Sequence, residues 1–125
     1  MAYEKLKTIK LLYVEDDESV MEVFSRGMRR KVSKLYTAKD GKEGYEQYLE
    51  HKPNMIITDL KMPIMTGFEM IKKIRAIDKN IPILITSADD ESASLNPTID
   101  LGINAYITKP IDKKLLFDSM EDNIL

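Results

Sequence analysis

The sequence lacks cysteine and tryptophan and has a single histidine, His51, among its 125 residues. The missing cysteine excludes disulfides, thiol catalysis and thiolate-bound zinc, and one histidine cannot build a histidine metal site. No apolar run approaches the ~20 residues of a membrane-spanning helix, and residues 1–10 lack the apolar stretch of a signal peptide. We therefore expect a cytoplasmic protein, with no membrane partner, whose chemistry depends on carboxylates, lysines and hydroxyls.

The charge is nearly balanced: the sequence has 19 Lys and Arg residues and 21 Asp and Glu residues, which give a net charge of −2. No basic field is present to attract a polyanion, so we expect no direct nucleic-acid binding. The hydrophobic share of 43% and charged share of 32% are those of an ordinary globular protein. Length and composition together predict a single domain over residues 1–125.

Short apolar runs alternate along the chain with segments of helical spacing. Near-continuous runs of Val, Ile, Leu, Met and Tyr are typical of strands covered on both faces. The predicted strands are Lys10–Val14, Lys34–Thr37, Met55–Thr58, Ile83–Thr86 and Ala105–Thr108.

Four segments show apolar residues at helical intervals. Asp40 with Glu43 predicts a capping box before the second helix, and Asp112 predicts the cap of the last one. The predicted apolar stripes are Val20/Val23/Phe24/Met28, Gly44/Tyr45/Tyr48/Leu49, Met70/Ile71/Ile74/Ile77 and Leu115/Leu116/Met120/Ile124.

The segment before the fifth strand contains Pro97, which lacks an N–H and would break a longer helix. We predict an irregular stretch before Pro97, a short helix starting there, and a left-handed stop at Gly102.

Five strand-then-helix units predict an α/β fold with one doubly wound parallel sheet and helices on both faces. Ligands bind such sheets at the carboxyl ends of the strands. At those ends the sequence places Glu15-Asp16-Asp17, Asp59, Ser87 and Lys109. Clustered carboxylates without histidine or cysteine favour a hard cation such as Mg²⁺, and an Asp beside Mg²⁺ and a lysine can act as a nucleophile toward phosphorus. Each acid taken alone would be an ordinary helix cap.

These motifs resemble those of bacterial response-regulator receiver domains, including chemotaxis regulators. The matching stretches are Val14–Asp17, Asp59–Pro63 with Gly67, Thr86–Ala88, and Ala105–Pro110, and the similarity runs from about Ile9 to the last helix. The resemblance implies a flavodoxin-like strand order of 2-1-3-4-5.

The resemblance also implies the roles of the site residues. Asp59 matches the phosphoacceptor, Asp16 the direct Mg²⁺ ligand, and Glu15 the neighbouring acid that binds through water. Lys61 matches the position whose backbone carbonyl completes the metal shell. Asp17 occupies a variable position and receives no role.

Three further positions match residues that contact the phosphoryl group or respond to it. Lys109 matches the lysine that contacts the phosphoryl group, and a cis bond is implied between Lys109 and Pro110. Ser87 matches the hydroxyl residue that moves toward the phosphoryl group, and Tyr106 the aromatic ring that turns inward with it.

Two features are specific to this chain. Lys61 and Asp89 flank the acceptor, and we hypothesise that they form an ion pair that hinders the attacking water. Pro97 interrupts the helix beside the switch residues, so we expect a differently shaped output face there.

The resemblance implies a signalling switch that takes a phosphoryl group from a sensor histidine kinase and then changes its affinity for an output protein or domain. A phosphatase with an aspartyl nucleophile is the enzymatic alternative, but Lys61 stands where such enzymes place a general acid. A docking module that takes no phosphate is the other alternative. We consider either a free single-domain regulator or a part of a longer regulator or hybrid kinase, as a monomer or as a dimer formed on phosphorylation.

Overall fold

The structure is a computed structural model that describes residues 3–88 and 96–125. These residues form a five-stranded parallel sheet with the order β2-β1-β3-β4-β5. The strands are β1 (Lys10–Val14), β2 (Lys34–Ala38), β3 (Met55–Asp59), β4 (Ile83–Ser87) and β5 (Ala105–Thr108). The predicted fold class, strand order and strand positions are confirmed, with one residue added at the end of β2, β3 and β4.

Four α-helices and two short 3₁₀ helices connect or flank the described strands. The α-helices are α1 (Glu18–Lys31), α2 (Gly41–His51), α3 (Gly67–Arg75) and α4 (Lys113–Asp122). The 3₁₀ helices are Glu4–Thr8, which the sequence analysis did not predict, and Asn96–Leu101. The second one is the short helix expected at Pro97, and Gly102 follows it with a left-handed φ of 68°. The irregular stretch expected before Pro97 lies outside the described residues.

The core has two layers because successive strand residues point to opposite faces of the sheet. Leu11 and Tyr13 face one layer, where Met28 of α1 and Leu116 of α4 pack. Leu12 and Val14 face the other layer, which holds Tyr48 of α2 and the apolar stripe of α3. β3 and β4 are buried along their whole length, which explains why their sequences are apolar runs rather than alternating ones.

The helix starts follow ordinary capping chemistry. Asp112 accepts a hydrogen bond from the Leu115 N–H at 3.1 Å, as predicted. Asp40 likewise accepts from the Glu43 N–H at 2.8 Å. The predicted capping box is incomplete, because the Glu43 carboxylate accepts from the Lys39 N–H, one residue before the cap, and not from the Asp40 N–H. A complete capping box is instead found at Thr66, with Glu69 as its partner.

Some residues of the predicted apolar stripes are not buried. Val23, Leu49 and Leu115 are each about half exposed, and Ile77 lies beyond the end of α3. The spacing identifies the inward face of a helix correctly, but the residues at the edge of a stripe are covered only where a neighbouring element reaches them.

Candidate functional site

The carboxyl ends of four strands meet at one edge of the sheet. Glu15 and Asp16 directly follow β1, Asp59 ends β3, Ser87 ends β4, and Lys109 follows β5. The register brings these ends together, because Asp59 pairs with Thr86 and Ser87 pairs with Thr108. The structure therefore collects at one edge the polar residues that the sequence analysis placed at the strand ends.

Lys109 joins two of the acids. Its ammonium nitrogen lies 2.7 Å from Asp59 Oδ2 and 3.0 Å from Glu15 Oε1. Burial lowers the pKa of Lys109, but hydrogen bonds and charges from Asp59 and Glu15 outweigh burial and leave this pKa raised. The lysine is therefore held as a cation against the proposed acceptor.

Glu15 lies deeper than its neighbours, with a side chain that is fully buried. Burial raises its pKa, and this effect exceeds the opposing hydrogen bonds from the Asp17 N–H and from Lys109. A second cation near Glu15 would lower that pKa again by favouring the charged carboxylate.

Three carboxylates converge at this edge. Glu15, Asp16 and Asp59 each bring one oxygen to within 4.8 Å of the others. Asp16 is exposed, whereas Glu15 and Asp59 are buried, so the cluster reaches solvent at Asp16. An all-oxygen donor set with an open side suits a hard cation that keeps several waters, and the acidic cluster could bind such a metal.

Asp59 is held at both oxygens. Oδ1 accepts a hydrogen bond from the Leu60 N–H at 2.7 Å, while Oδ2 faces Lys109. Asp17 instead caps α1 by accepting from the Val20 N–H at 3.0 Å. This cap agrees with leaving Asp17 without a site role.

The loop after Asp59 is supported by Gly67, which the sequence analysis quoted in a motif without assigning it a role. Its N–H donates to the Leu60 carbonyl at 2.8 Å. A Cβ at Gly67 would collide with the Asp59 carbonyl oxygen. Only glycine fits this close approach between the two backbone segments. The signal in the sequence that could have indicated this role was the glycine that follows Asp59 in the same motif.

The two predicted switch residues occupy different environments. Ser87 is buried, and its carbonyl accepts from the Lys109 N–H at 2.6 Å. Tyr106 is 43% exposed, and its hydroxyl lies 2.9 Å from Thr98 Oγ1. The ring is thus outward in this structure, and Thr98 is a contact that sequence reasoning did not find, since β5 and Asn96–Leu101 meet only through the tertiary fold.

Two further predictions concern Lys109-Pro110 and Lys61. The peptide bond between Lys109 and Pro110 is cis, as the resemblance implied. Lys61 is exposed two residues after Asp59. The hypothesised ion pair of Lys61 involves Asp89, which lies outside the described residues.

Comparison with known proteins identifies the family. The response regulator receiver domain family matches residues 11–121. Among solved structures, the N-terminal domain of an uncharacterized protein from Wolinella succinogenes is 33% identical, with a TM-score of 0.87 over 92% of this chain and 93% of that one. The chemotaxis response regulator CheY4 of Vibrio cholerae is 26% identical, with a TM-score of 0.84 over 94% of this chain and 99% of that one.

Curated relatives are longer proteins. The transcriptional regulatory protein PrrA of Mycobacterium tuberculosis is 32% identical over 105 residues, which are 81% of this chain and 43% of PrrA. The alkaline phosphatase synthesis transcriptional regulatory protein PhoP of Bacillus subtilis is 31% identical, with 84% of this chain and 44% of PhoP covered. The chain therefore spans less than half the length of these relatives.

The chain belongs to the response regulator receiver domain family. It is a phosphoacceptor regulatory module of the two-component type, which implies a histidine kinase as partner. Among the described residues, no helix has the length and apolar character needed to cross a membrane.

Proposed function

We propose that Asp59 is the residue that accepts the phosphoryl group, and that Lys109 and Ser87 assist the transfer. The observation that carries this proposal is the Lys109 ammonium, which lies 2.7 Å from Asp59 Oδ2 at the sheet edge where ligands of this fold bind. A cation at this distance offsets negative charge as it develops on the transferring group.

The metal in this proposal is Mg²⁺, held by the carboxylates of Glu15, Asp16 and Asp59 and by the backbone carbonyl of Lys61. The supporting observation is the convergence of three carboxylate oxygens within 4.8 Å of one another, with Asp16 exposed. When bound, Mg²⁺ would supply positive charge that reduces repulsion between the acids and the incoming phosphoryl oxygens.

In the proposed transfer step, an Asp59 carboxylate oxygen forms a bond to phosphorus. The P–N bond of the kinase phosphohistidine breaks, and its electron pair returns to the imidazole nitrogen. Lys109 turns its ammonium from the Asp59 carboxylate to a phosphoryl oxygen. The Ser87 hydroxyl donates to a second phosphoryl oxygen, so that the new charge is shared between two side chains.

The consequence of phosphorylation is a change of surface. As Ser87 moves toward the phosphoryl group, Tyr106 turns inward from its exposed position, and the surface formed by Asn96–Leu101, β5 and α4 changes its affinity for an output protein or domain. Similar proteins named as transcriptional regulatory proteins suggest such an output. The module acts as a monomer or as a dimer formed on phosphorylation.

The test is the intact mass of the protein incubated with Mg²⁺ and acetyl phosphate, with Asp59→Asn as control. We expect a single phosphate adduct, labile in base, that the control lacks. If no adduct forms although the metal site is occupied, the result would instead support a docking module that takes no phosphate. Release of phosphate over many turnovers without a lasting adduct would support a phosphatase.

A further inference from the structure

The net charge of −2 hides an uneven distribution of charge along the chain. Between Glu22 and Asp40 the sequence has six Lys and Arg residues and no acid, and residues 5–10 add three lysines, again without an acid. These two stretches hold nine of the 19 cations of the chain. Such a local excess can attract an anion although the whole molecule is slightly acidic, because charges farther apart than the Debye length of ~8 Å are largely screened at physiological ionic strength.

The fold brings these two stretches together at the amino ends of β1 and β2. The Ser33 N–H, which follows α1, donates to the Ile9 carbonyl, which precedes β1, at 2.9 Å. The Lys31 ammonium lies 5.3 Å from the centre of the Tyr3 ring, so the end of α1 also meets the start of the amino-terminal 3₁₀ helix. Six exposed cationic side chains lie around this junction and form the basic edge: Lys5, Lys7, Lys10, Arg29, Arg30 and Lys34.

The basic edge is not neutralised within the part of the protein that the structure describes. Among these residues, no acid forms an ion pair with any of its six side chains. Arg26, in the preceding turn of α1, differs because it pairs with Glu22. Cations in the last turn of a helix interact favourably with the helix dipole, which explains Arg29 and Arg30. The dipole of α1 does not explain the lysines at the starts of β1 and β2.

Two lysines of the basic edge repel each other. Lys10 and Lys34 are direct partners in the register of β1 and β2, and both are exposed. Their side chains point to the same face of the sheet, because the next residues, Leu11 and Leu35, both pack into the layer on the opposite face. Like charges opposite each other on neighbouring strands are destabilising. A carboxylate from another molecule, bound between the two ammonium groups, would remove this repulsion.

The surroundings of the basic edge do not suit a membrane or a single-stranded nucleic acid. Among the described residues, no exposed large apolar side chain lies within 3–10 or 26–39, so this surface offers nothing to insert into a bilayer. The aromatic rings of these stretches are those of Tyr3 and Tyr36. They pack against Phe117 and His51, so they are already engaged by protein rings rather than open for stacking on bases.

The borders of the basic edge are acidic. Glu4 begins the 3₁₀ helix that carries Lys5 and Lys7, and Glu22 lies two turns before Arg29 in α1. A nucleic-acid duplex or a bilayer extends beyond the basic edge and would bring its phosphates close to these carboxylates. A short acidic segment of a protein can contact the cations and avoid the acids, so its charge fits this surface best.

We propose that the basic edge binds an acidic segment of a partner protein at a site separate from the phosphorylation site. Lys10 begins β1 and Glu15 follows it, and the five residues of this strand span about 16 Å. A partner bound at the basic edge therefore leaves the sheet edge that carries Asp59 accessible to a kinase. The inference does not depend on the phosphoryl transfer proposed above.

The first experiment measures the binding of a fluorescent oligoglutamate peptide by anisotropy at low ionic strength. Lys10→Gln/Lys34→Gln removes two cations of the basic edge, and Lys42→Gln/Lys79→Gln removes two exposed cations elsewhere, so both variants have the same net charge. We expect the first variant to bind about fivefold more weakly than wild type, the effect of two exposed ion pairs, and the second to bind like wild type. Equal losses in the two variants, or no binding by wild type, would overturn the proposal.

The second experiment separates the classes of partner. The same proteins are titrated with a DNA duplex and with vesicles of phosphatidylcholine and phosphatidylserine at the same ionic strength. We expect the peptide to bind more tightly than either of these. Tighter binding of the duplex or of the vesicles would contradict an acidic protein segment and assign the basic edge to that other partner.

The third experiment locates the bound peptide. Amide spectra of ¹⁵N-labelled protein should shift at Lys10, Arg30 and Lys34 and stay unchanged at Asp59. The rate of adduct formation with Mg²⁺ and acetyl phosphate should be the same with and without the peptide. Shifts centred on Asp59, or a slower reaction, would contradict a separate site. If wild type forms no adduct, the proposed phosphoacceptor function fails, and the binding and amide spectra alone decide the docking site.

Discussion

At the scale of single residues, Tyr13 is notable for a polar atom that the fold leaves unpaired. Its side chain is fully buried, and its hydroxyl has no hydrogen-bond partner among the described residues. Burial, and after it the charges of Glu15 and Asp59, raise the pKa of Tyr13, so the hydroxyl stays protonated. An unpaired buried hydroxyl reduces stability relative to an apolar group of the same shape.

We therefore expect Tyr13→Phe to raise the free energy of unfolding by about 1 kcal/mol, because it removes the unpaired hydroxyl and keeps the ring. Urea unfolding monitored by circular dichroism measures the change. Tyr106→Phe is the matched control, since it removes a hydroxyl that has a partner and should lower stability. If Tyr13→Phe also lowers stability, the hydroxyl contributes a favourable contact.

Ile64 carries local strain. It lies in the loop between Asp59 and α3 with a φ of 69°, a left-handed conformation that is unfavourable for a β-branched residue. The side chain is 77% exposed, so little burial offsets this strain.

Replacing Ile64 by asparagine, which tolerates the left-handed region, should raise the free energy of unfolding by about 1 kcal/mol. Ile64→Val retains the branched Cβ and serves as the control in the same urea titration. Equal stabilities of the two variants would show that the backbone strain does not limit stability.

At the scale of elements, the strands were predictable because β3 and β4 are buried on both faces and therefore begin with three consecutive apolar residues. The start of α4 was predictable because an Asp preceding a helical apolar stripe has a local capping role. The 3₁₀ helix Glu4–Thr8 was not predictable, since Leu6 is its one buried residue and sets no periodicity. The pair of Thr98 and Tyr106 was missed for a related reason, because it depends on how two elements pack.

The location of the site at the carboxyl ends of the strands was predictable, but the contacts between its side chains were not. Parallel strands place their carboxyl ends at one edge, so acids and a lysine at those ends had to converge. Which acids Lys109 contacts was not predictable, because the burial of Glu15 next to Lys109 depends on how the layers pack in the folded protein. Asp16, one residue later, points to solvent.

The start of α3 should be highly sensitive to the volume of one side chain. Gly67→Ala would push a methyl group into the Asp59 carbonyl, and we expect it to lower the free energy of unfolding by about 3 kcal/mol. Gly27→Ala is the control, since its Cβ would meet Phe117 at an ordinary 3.6 Å and should stabilise α1 by about 1 kcal/mol. Urea unfolding compares the two, and equal effects would contradict the close approach at Gly67.

Arg75 should contribute more to stability than other arginines. The Arg75 guanidinium donates to four backbone carbonyls, those of Asp78, Ile81, Leu101 and Gly102. Arg75→Lys keeps the charge but cannot donate to all four at once, so we expect a loss of about 2 kcal/mol in the free energy of unfolding. Arg29→Lys, at an exposed position of α1, should change stability little. A result in which both substitutions have the same small effect would show that the Arg75 bonds are replaced by water.

At the scale of the whole molecule, a metal bound at the acidic cluster would be linked to folding, because the carboxylates come from two strands: Glu15 and Asp16 follow β1, and Asp59 ends β3. A ligand that binds only the folded state stabilises it, by about 2.7 kcal/mol at a concentration one hundred times its dissociation constant. We expect the midpoint of thermal unfolding to rise with Mg²⁺ concentration in the wild type.

Asp16→Asn should remove most of this dependence while leaving the metal-free protein folded, since Asp16 is exposed. Asp100→Asn, an exposed substitution outside the acidic cluster, is the control and should keep the full response. If all three proteins respond equally to Mg²⁺, the stabilising site lies elsewhere.

The ion pair between Lys109 and Glu15 joins residues 94 positions apart in the chain. Asp59, between them, belongs to a strand that pairs with β1 on one side and β4 on the other. Asp59 and Lys109 therefore come together only when β3, β4 and β5 occupy one sheet, and Glu15 joins them from the end of β1. A partly folded copy would not bring these side chains together, so we expect phosphoryl transfer from a kinase to require the completed sheet.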